Sequence, residues 1–249
     1  MDIKQKYKKL KLNYIDLYNK HNQLKSDIKI IQDDLQKLIE EESNTFLNNL
    51  KWRRAEKYFA PGVVNIEPIK TAIINAPSAY GMQPYHVLVI RDKKLKERLK
   101  PACMDQNQIT DCYALFIFCV YTDLEARMNQ YIEQTKKEDY RESIVNFMNA
   151  QPSKVGWATK QAYISLGYAL AAATELKIAS CPIEGFTPKD VAKILKLDSK
   201  LIPVVLFAVG RHVSLGPSDK KDIIKFKEKI KDYKLEPRFR FKDIIKDIN

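Results

Sequence analysis

Tyr113-Ala114-Leu115-Phe116-Ile117-Phe118-Cys119-Val120-Tyr121 is a nearly continuous run of apolar and aromatic residues. Such a run is typical of a strand that is buried on both faces of a sheet, because neither face needs alternating polar residues. Three further stretches predict strands: residues 85–91, which alternate and are rich in β-branched residues, and the apolar stretches 178–183 and 202–210. We therefore expect a buried strand at the centre of a sheet.

The segments between these strands have helical patterns. They cover residues 67–75, 93–100, 157–176 and 187–195, with a further helical stretch that ends near residue 148. The helix at 187–195 begins with Thr187-Pro188, a favourable N-cap and first-turn pair. Because strands and helices mix without strict alternation, the pattern favours the α+β class.

Residues 1–43 differ from the rest and contain neither Gly nor Pro. Apolar or tolerated residues recur at alternating steps of four and three. They form what we call the heptad seam: Ile3, Tyr7, Leu10, Tyr14, Leu17, His21, Leu24, Ile28, Ile31, Leu35 and Leu38. Leu or Ile at every d-like position predicts a long helix that pairs in a coiled coil. A long amphipathic helix lying on the globular domain would have a similar stripe. We interpret His21 as a residue that sets the register.

This pattern divides the chain into two predicted domains. Residues 1–43 form the heptad-patterned helix and residues 44–249 form the globular domain. A separate helix is expected at residues 44–51, with Asn44 or Thr45 as its cap. Residues 216–249 form a charged C-terminal tail.

The composition limits the classes of function. The chain has 249 residues, 45% of them hydrophobic, and a formal net charge of +12. The lysines are spread along the whole chain without a nucleic-acid-binding motif, so we expect no nucleic-acid partner. The N-terminus has no apolar signal core and the apolar runs are short, so we expect a cytoplasmic protein that does not bind membranes. Four cysteines without a C-x-x-C pair, and three histidines, argue against a metal site.

Three clusters could bind a ligand, although the chain has neither a G-x-G-x-x-G fingerprint nor a Walker A loop. Arg53, Arg54 and Lys57 could hold a phosphate, or form a solvated basic turn. The loop at residues 77–84 has small residues that let its backbone approach a ligand, or it is a simple connection. Residues 182–186 follow a strand and could present backbone N–H groups, or form a strand-ending turn.

Six motifs in this order resemble the nitroreductase family, the FMN-dependent NAD(P)H oxidoreductases. They are residues 46–59, Pro77-Ser78-Ala79-Tyr80-Gly81-Met82-Gln83-Pro84-Tyr85, Asp105-Gln106-Asn107-Gln108-Ile109-Thr110-Asp111, residues 157–186, Val209-Gly210-Arg211-His212 and Arg238-Phe239-Arg240. The resemblance implies a central, mostly antiparallel sheet flanked by helices, with a C-terminal tail exchanged in a homodimer that has FMN at its interface. It also implies a ping-pong cycle from NAD(P)H to a small acceptor such as a nitroaromatic, a quinone or a pterin.

The resemblance also implies which residues contact the phosphate of FMN. Arg53, Arg54 and Ala55 would lie at the phosphate and ribityl chain, and Arg238 and Arg240 would add phosphate contacts. A dianion would then meet several guanidinium groups, each able to bind it through two hydrogen bonds.

A second set of residues would contact the flavin ring. Lys57 would lie near the pyrimidine end, and Glu184 and Gly185 would offer backbone N–H groups to flavin N5. The ring would be lined by Pro77, Ser78, Ala79 and Gln83. No side chain is expected to be an obligatory acid or base, because the flavin carries the hydride.

Several positions depart from the family pattern. Ala55 replaces a frequent Ser, Gln108 stands where some members have Lys, and Tyr80-Gly81 changes the pocket rim. Asp105 stands where Asn is usual, opposite the N3–H of the flavin. Its charge would disfavour a reduced anionic flavin, so we expect it to lower the potential unless Lys57 offsets it.

Two alternatives remain open. The same fold hosts dehalogenases and other flavin reductions, and residues 123–153 would decide among these chemistries. The chain could instead be a flavin-binding interaction protein with weakened catalysis, which recruits a partner through its coiled coil. Pairing through residues 3–38 could also build a higher oligomer.

Overall fold

The computed structural model describes residues 3–213 and Ile244. Contacts divide the chain into two units, Met1–Asn48 and Asn49–Asn249. The predicted exchange of the C-terminal tail lies outside the described residues, and so do Arg238 and Arg240. Among the described helices, none combines the length and the apolar character that a membrane crossing requires.

The first long element is a single helix, α1, which spans Ile3–Trp52 and has 50 residues. At 1.5 Å per residue it is about 75 Å long. The prediction of a separate helix that begins at Asn44 or Thr45 is wrong, because α1 continues through both residues. Neither Gly nor Pro occurs in this span, so nothing in the sequence breaks the helix.

Four strands form one antiparallel sheet in the described part of the chain. They are β1 (Tyr85–Ile90), β2 (Ala114–Tyr121), β3 (Ala179–Ile183) and β4 (Leu201–Gly210), in the order β1-β2-β4-β3. The register of β2 with β4 shifts once, between Phe118 and Cys119. The predicted α+β class, the antiparallel sheet and the central position of residues 114–121 are confirmed.

Helices cover both faces of this sheet. They are α2 (Glu67–Asn75), α3 (Lys93–Leu99), α4 (Asn107–Asp111), α5 (Leu124–Thr135), α6 (Arg141–Asn149), α7 (Lys154–Glu175) and α8 (Pro188–Leu195). Leu115 and Ile117 of β2 pack with α3, α4 and α8, whereas Phe116 and Phe118 pack with α2 and α7. All four side chains are fully buried, because alternate residues of a strand point to opposite faces.

Local capping explains where several of these helices begin. The side chain of Asp92 accepts a hydrogen bond from Leu95 N at the start of α3, and Asp123 and Ser153 do the same for α5 and α7. Thr187 precedes α8 as expected, but its side chain makes no capping hydrogen bond. The start of α8 therefore rests on Pro188 at its first turn.

Two segments outside the regular elements flank the sheet at opposite edges. Ala55 forms a parallel bridge with Ser180 of β3, and Ala60 forms an antiparallel bridge with Arg211 after β4. The loop from Pro77 to Pro84 contains a short 3-10 turn, Ala79–Gly81, and leads into β1. Since β1 and β3 are the outer strands of the described sheet, the two segments lie at its two opposite edges.

Candidate functional site

The basic segment at residues 53–57 lies beside β3. Glu56 N donates a hydrogen bond of 3.0 Å to Ser180 O, which fixes the segment against the strand. Burial raises the pKa of Cys181 to about 11, and the charges of Lys57 and Arg53 oppose that rise. Both cations therefore lie close to Cys181, with Lys57 exposed and Arg53 half-buried.

Arg54 points back to the end of α1. Its Nη1 donates to Lys51 O and, over 2.8 Å, to Arg53 O. An arginine in this place satisfies carbonyl oxygens that the end of a helix leaves without a partner. Arg54 must leave these carbonyls before Nη1 can bind a phosphate.

A turn after β3 is joined to the segment that precedes α4. Gln106 Nε2 donates to Gly185 O over 2.6 Å and to Cys103 O over 2.9 Å. Gln108 is buried and donates from its Nε2 to Gln106 Oε1 over 2.7 Å. The structure therefore brings Gln108 and Gly185 to one place, with the side chain of Gln106 between them.

Gly185 is closely packed against two side chains. A Cβ atom at this position would lie 3.1 Å from Gln106 Nε2 and 3.3 Å from Met104 Sδ. Close backbone packing at a turn is one reason for a glycine, and the backbone φ angle here does not require one. The turn is therefore shaped by its neighbours across the chain.

Glu184 is held from the side of α7. Tyr163 OH donates a hydrogen bond of 2.6 Å to Glu184 Oε1. Burial and this hydrogen bond raise the pKa of Tyr163 to about 12, so the hydroxyl keeps its proton at neutral pH. The Glu184–Gly185 turn is thus fixed from two directions, by α7 and by Gln106.

Asp105 lies in the same turn as Gln106 and is exposed. Met104 and Asp105 both have left-handed backbone conformations, with φ angles of 55° and 53°. Two consecutive non-glycine residues in this region are uncommon, and such conformations occur at ligand sites. The structure places the unusual Asp105 one residue from the side chain that contacts Gly185.

The loop with Pro77, Ser78, Ala79 and Gln83 is held by hydrogen bonds to α7 and α2. Ala79 N donates to Gln161 Oε1 of α7 over 2.8 Å, and Gln83 N donates to Ser78 Oγ over 2.9 Å. Gln83 Nε2 donates to Ile74 O over 2.7 Å. A cavity of about 310 Å³ lies beside Gln83 at the β1 edge.

The predicted site residues within residues 3–213 thus fall into two groups, one at each outer strand of the sheet. The first group is at β3: Arg53, Ala55 and Lys57 lie along the strand, and Asp105, Gln108, Glu184 and Gly185 lie at the turn where it ends. The residues of the loop before β1 adjoin the other outer strand, which is three strand spacings of about 4.8 Å from β3. Within residues 3–213, one chain therefore divides the predicted site residues between the two outer strands of the sheet.

Three side chains that the sequence analysis did not assign also shape this site. Gln106 and Tyr163 hold the turn after β3, and Glu56 holds the basic segment. Glu56 is buried, and its Oε1 lies 3.3 Å from His212 Nε2. Glu56 Oε2 and Ser180 Oγ are buried and have no hydrogen-bond partner among the residues that the structure describes. Gln106 could have been found because it lies inside a quoted motif, whereas nothing in the sequence links Tyr163 to Glu184.

Comparison with known proteins identifies the family. Residues 50–211 match the nitroreductase family. An NADH dehydrogenase of Thermus thermophilus is 31% identical over 160 residues, which are 61% of this chain and 77% of that protein. The Staphylococcus epidermidis protein named "Putative NAD(P)H nitroreductase SERP2086" is 28% identical over 195 residues, 70% of this chain and 88% of that protein.

A solved structure has the same fold. It is named "putative NAD(P)H:FMN oxidoreductase" and also comes from Staphylococcus epidermidis. It covers 82% of this chain and 95% of its own, with 20% sequence identity and a TM-score of 0.61. The match over residues 50–211 covers more than half of the chain, so the chain belongs to the nitroreductase family, a family of oxidoreductases.

Proposed function

We propose that this chain is an FMN-dependent oxidoreductase that passes two electrons from NAD(P)H to a small acceptor in a ping-pong cycle. The proposed acceptors are nitroaromatic, quinone or pterin-like compounds. Membership of the nitroreductase family supports the reaction class. The relatives named for NADH, for NAD(P)H and for FMN support the donor and the cofactor.

The observation that carries the proposal is the pairing of a cationic segment with a rigid glycine turn along β3. Ala55 bridges to Ser180 and Glu56 N donates to Ser180 O, so the segment that contains Arg53 and Lys57 lies beside β3, and Gly185 follows Ser180 five residues later. Guanidinium and ammonium groups fit a phosphate, and a turn without a side chain fits the face of a flat ring. The donor set thus fits FMN, which when bound would supply the hydride-accepting and electron-transferring chemistry.

The residues of this chain would position the cofactor and adjust its surroundings. Arg53 would bind the phosphate, and Arg54 would join it after leaving the end of α1, with Arg238 and Arg240 as further proposed phosphate ligands. Gln106 and Tyr163 would keep the Glu184–Gly185 turn in one geometry, so that its backbone donors need no rearrangement.

We also propose a homodimer with FMN at its interface. The loop with Pro77 and Gln83 is on the far side of the sheet from Arg53, so a second copy would have to supply it to the same flavin. On α7, Ile164 and Tyr168 are 41% and 45% exposed, and a Cβ at Gly167 would meet no atom within 4 Å. An apolar helix face with an open glycine is suited to close approach by the same face of a second copy.

The experiment is a visible absorption spectrum of the purified protein, before and after anaerobic addition of NADH or NADPH. We expect a bound-flavin spectrum that bleaches with at least one nucleotide and recovers when a quinone is added. A flavin spectrum that neither nucleotide bleaches would contradict the proposed donor. A colourless protein that FMN does not reconstitute would contradict the proposed cofactor.

A further inference from the structure

The heptad seam of α1 is exposed along its whole length. Leu10, Leu17, Leu24, Leu35 and Leu38 are each between 55% and 68% exposed. Soluble proteins rarely leave an apolar stripe of this length open to water. Within residues 3–42, Leu12, Ile15 and Ile30 fall at three different heptad positions, whereas Tyr18 and Ile39 share one position directly beside the seam, so no second seam forms. The seam is therefore the face that a partner would cover.

The charges of α1 are divided between its two halves. Residues 3–22 contain six lysines and one aspartate, a net charge of +5. Residues 23–42 contain three lysines and six acidic residues, a net charge of −3. A second copy in parallel register would bring the two basic halves together, whereas an antiparallel copy would bring each basic half against an acidic one. Charges that flank a seam determine such orientation.

We propose that α1 pairs with α1 of a second copy of this chain in an antiparallel coiled coil. In the proposed register the numbers of the a-like and d-like residues that face each other across the seam add up to 45, so Leu10 packs beside Leu35 of the second copy. Every a-like residue of the seam, from Tyr7 to Leu35, then faces a d-like Leu or Ile. The two-fold axis passes between positions 22 and 23, which makes the contact self-complementary.

The residues that flank the seam favour this register. Lys20 and Asp27 each directly precede an a-like residue, and at this flanking position the numbers of paired residues add up to 47. They therefore pair twice, once on each side of the two-fold axis. Parallel pairing would instead oppose Lys20 to Lys25 and Lys6 to Lys11. If the antiparallel helices slid by one heptad in one direction, Lys20 would face Lys20 of the second copy. A slide in the other direction would bring Asp27 against Asp27 of the second copy. Like charges in these positions destabilise a coiled coil, so the antiparallel register is selected against its neighbours.

Disulfide trapping in the full-length chain tests the orientation. We expect Leu10→Cys combined with Leu35→Cys to form a covalent dimer under mild oxidation, while each single variant does not. Within one helix these positions are about 38 Å apart, so they cannot join each other. The unsubstituted chain is the background control, since Cys103, Cys112, Cys119 and Cys181 are all buried.

A matched control separates the seam from chance collision. Asn19→Cys combined with Ser26→Cys places two thiols at one level of the proposed pair, but on its outer face, and we expect no covalent dimer. Cross-linking by either single seam variant would overturn the proposal in favour of parallel pairing. Equal cross-linking by the seam and outer-face pairs, or none by either, would overturn pairing through the seam.

A charge exchange tests the register independently. Asp27→Lys turns both Lys20–Asp27 contacts into repulsions, and we expect it to weaken association by about five-fold. Adding Lys20→Asp should restore association, measured by the concentration dependence of trapping. No loss with Asp27→Lys, or no recovery with both changes, would overturn the register. These readouts do not use the flavin, so their failure is distinguishable from failure of the proposed enzymatic function.

Discussion

The two units of the chain treat their apolar residues in opposite ways. In the unit Asn49–Asn249, Leu115, Phe116, Ile117 and Phe118 are fully buried between two layers of helices. In the unit Met1–Asn48, Leu17 of the seam is 66% exposed. Both patterns are equally clear in the sequence. The difference shows that a pattern specifies a buried face, but not whether the same chain or another chain covers it.

The largest expected difference is in the free energy of unfolding, between a substitution in the core of the sheet and a substitution in the heptad seam. Phe118→Ala should lower the free energy of unfolding by about 4 kcal/mol, because it leaves a cavity between β2 and its helices. Leu17→Ala, in the other unit, should change the free energy of unfolding of the unit Asn49–Asn249 by less than about 0.5 kcal/mol. Urea unfolding followed by the fluorescence of the buried Trp157 measures both. Equal losses would contradict the division into two units.

The buried contact between Glu56 and His212 gives the next effect. His212→Ala should lower the free energy of unfolding by about 2 kcal/mol, because it removes the contact of Glu56 Oε1. Glu56 Oε2 already has no hydrogen-bond partner in the described part of the chain. His212→Gln keeps an N–H donor and should cost less, and Glu56→Gln should relieve part of the loss in His212→Ala. The same urea titration measures all of them. A His212→Ala variant as stable as the parent would show that this contact does not hold the basic segment.

Gly185→Ala tests whether the turn after β3 is shaped for a ligand. The new methyl group would shift the side chains of Gln106 and Met104 and would stand on the face proposed for the flavin, so FMN affinity should fall by about ten-fold. The loss of folding stability should stay near 1 kcal/mol, because the turn is at the surface. FMN fluorescence quenching gives the affinity, and urea unfolding is the control. Unchanged affinity would place the flavin elsewhere.

The smallest expected effect is on the flavin potential. Asp105→Asn should raise the two-electron potential by roughly 30 mV, equivalent to about 1.4 kcal/mol, because it removes a negative charge beside the reduced ring. Asp33→Asn on α1 is the control for a change of net charge. A redox titration with no difference between the two variants would remove Asp105 from the flavin environment.

The elements that could be predicted from the sequence are those whose signal lies within one short segment. The apolar run of β2 and the Thr187-Pro188 start of α8 are examples, since a strand core and a first turn are local signals. The extension of α1 through Asn44 was missed because a favourable cap residue does not end a helix that lacks Gly and Pro.

The geometry of the site depended on contacts that no local pattern contains. Gln106 and Gly185 are joined across 79 residues, and the Ala55–Ser180 bridge is longer still. Glu56 stands between two cations in sequence, which suggested a solvated turn, yet its carboxylate is buried against His212. The candidate residues could therefore be named from the sequence and stay predictions, whereas the side chains that support them are visible only in the fold.

The most direct test of the central claim is the dissociation constant of FMN for Arg53→Gln compared with Lys94→Gln. Both changes remove one positive charge, but only Arg53 lies along β3, whereas Lys94 is on the exposed surface of α3. We expect Arg53→Gln to weaken FMN binding by about ten-fold or more, because it removes a charge-assisted hydrogen bond to the phosphate, and Lys94→Gln to leave FMN binding unchanged. Equal affinities for the two variants and the parent would contradict a flavin phosphate site beside β3.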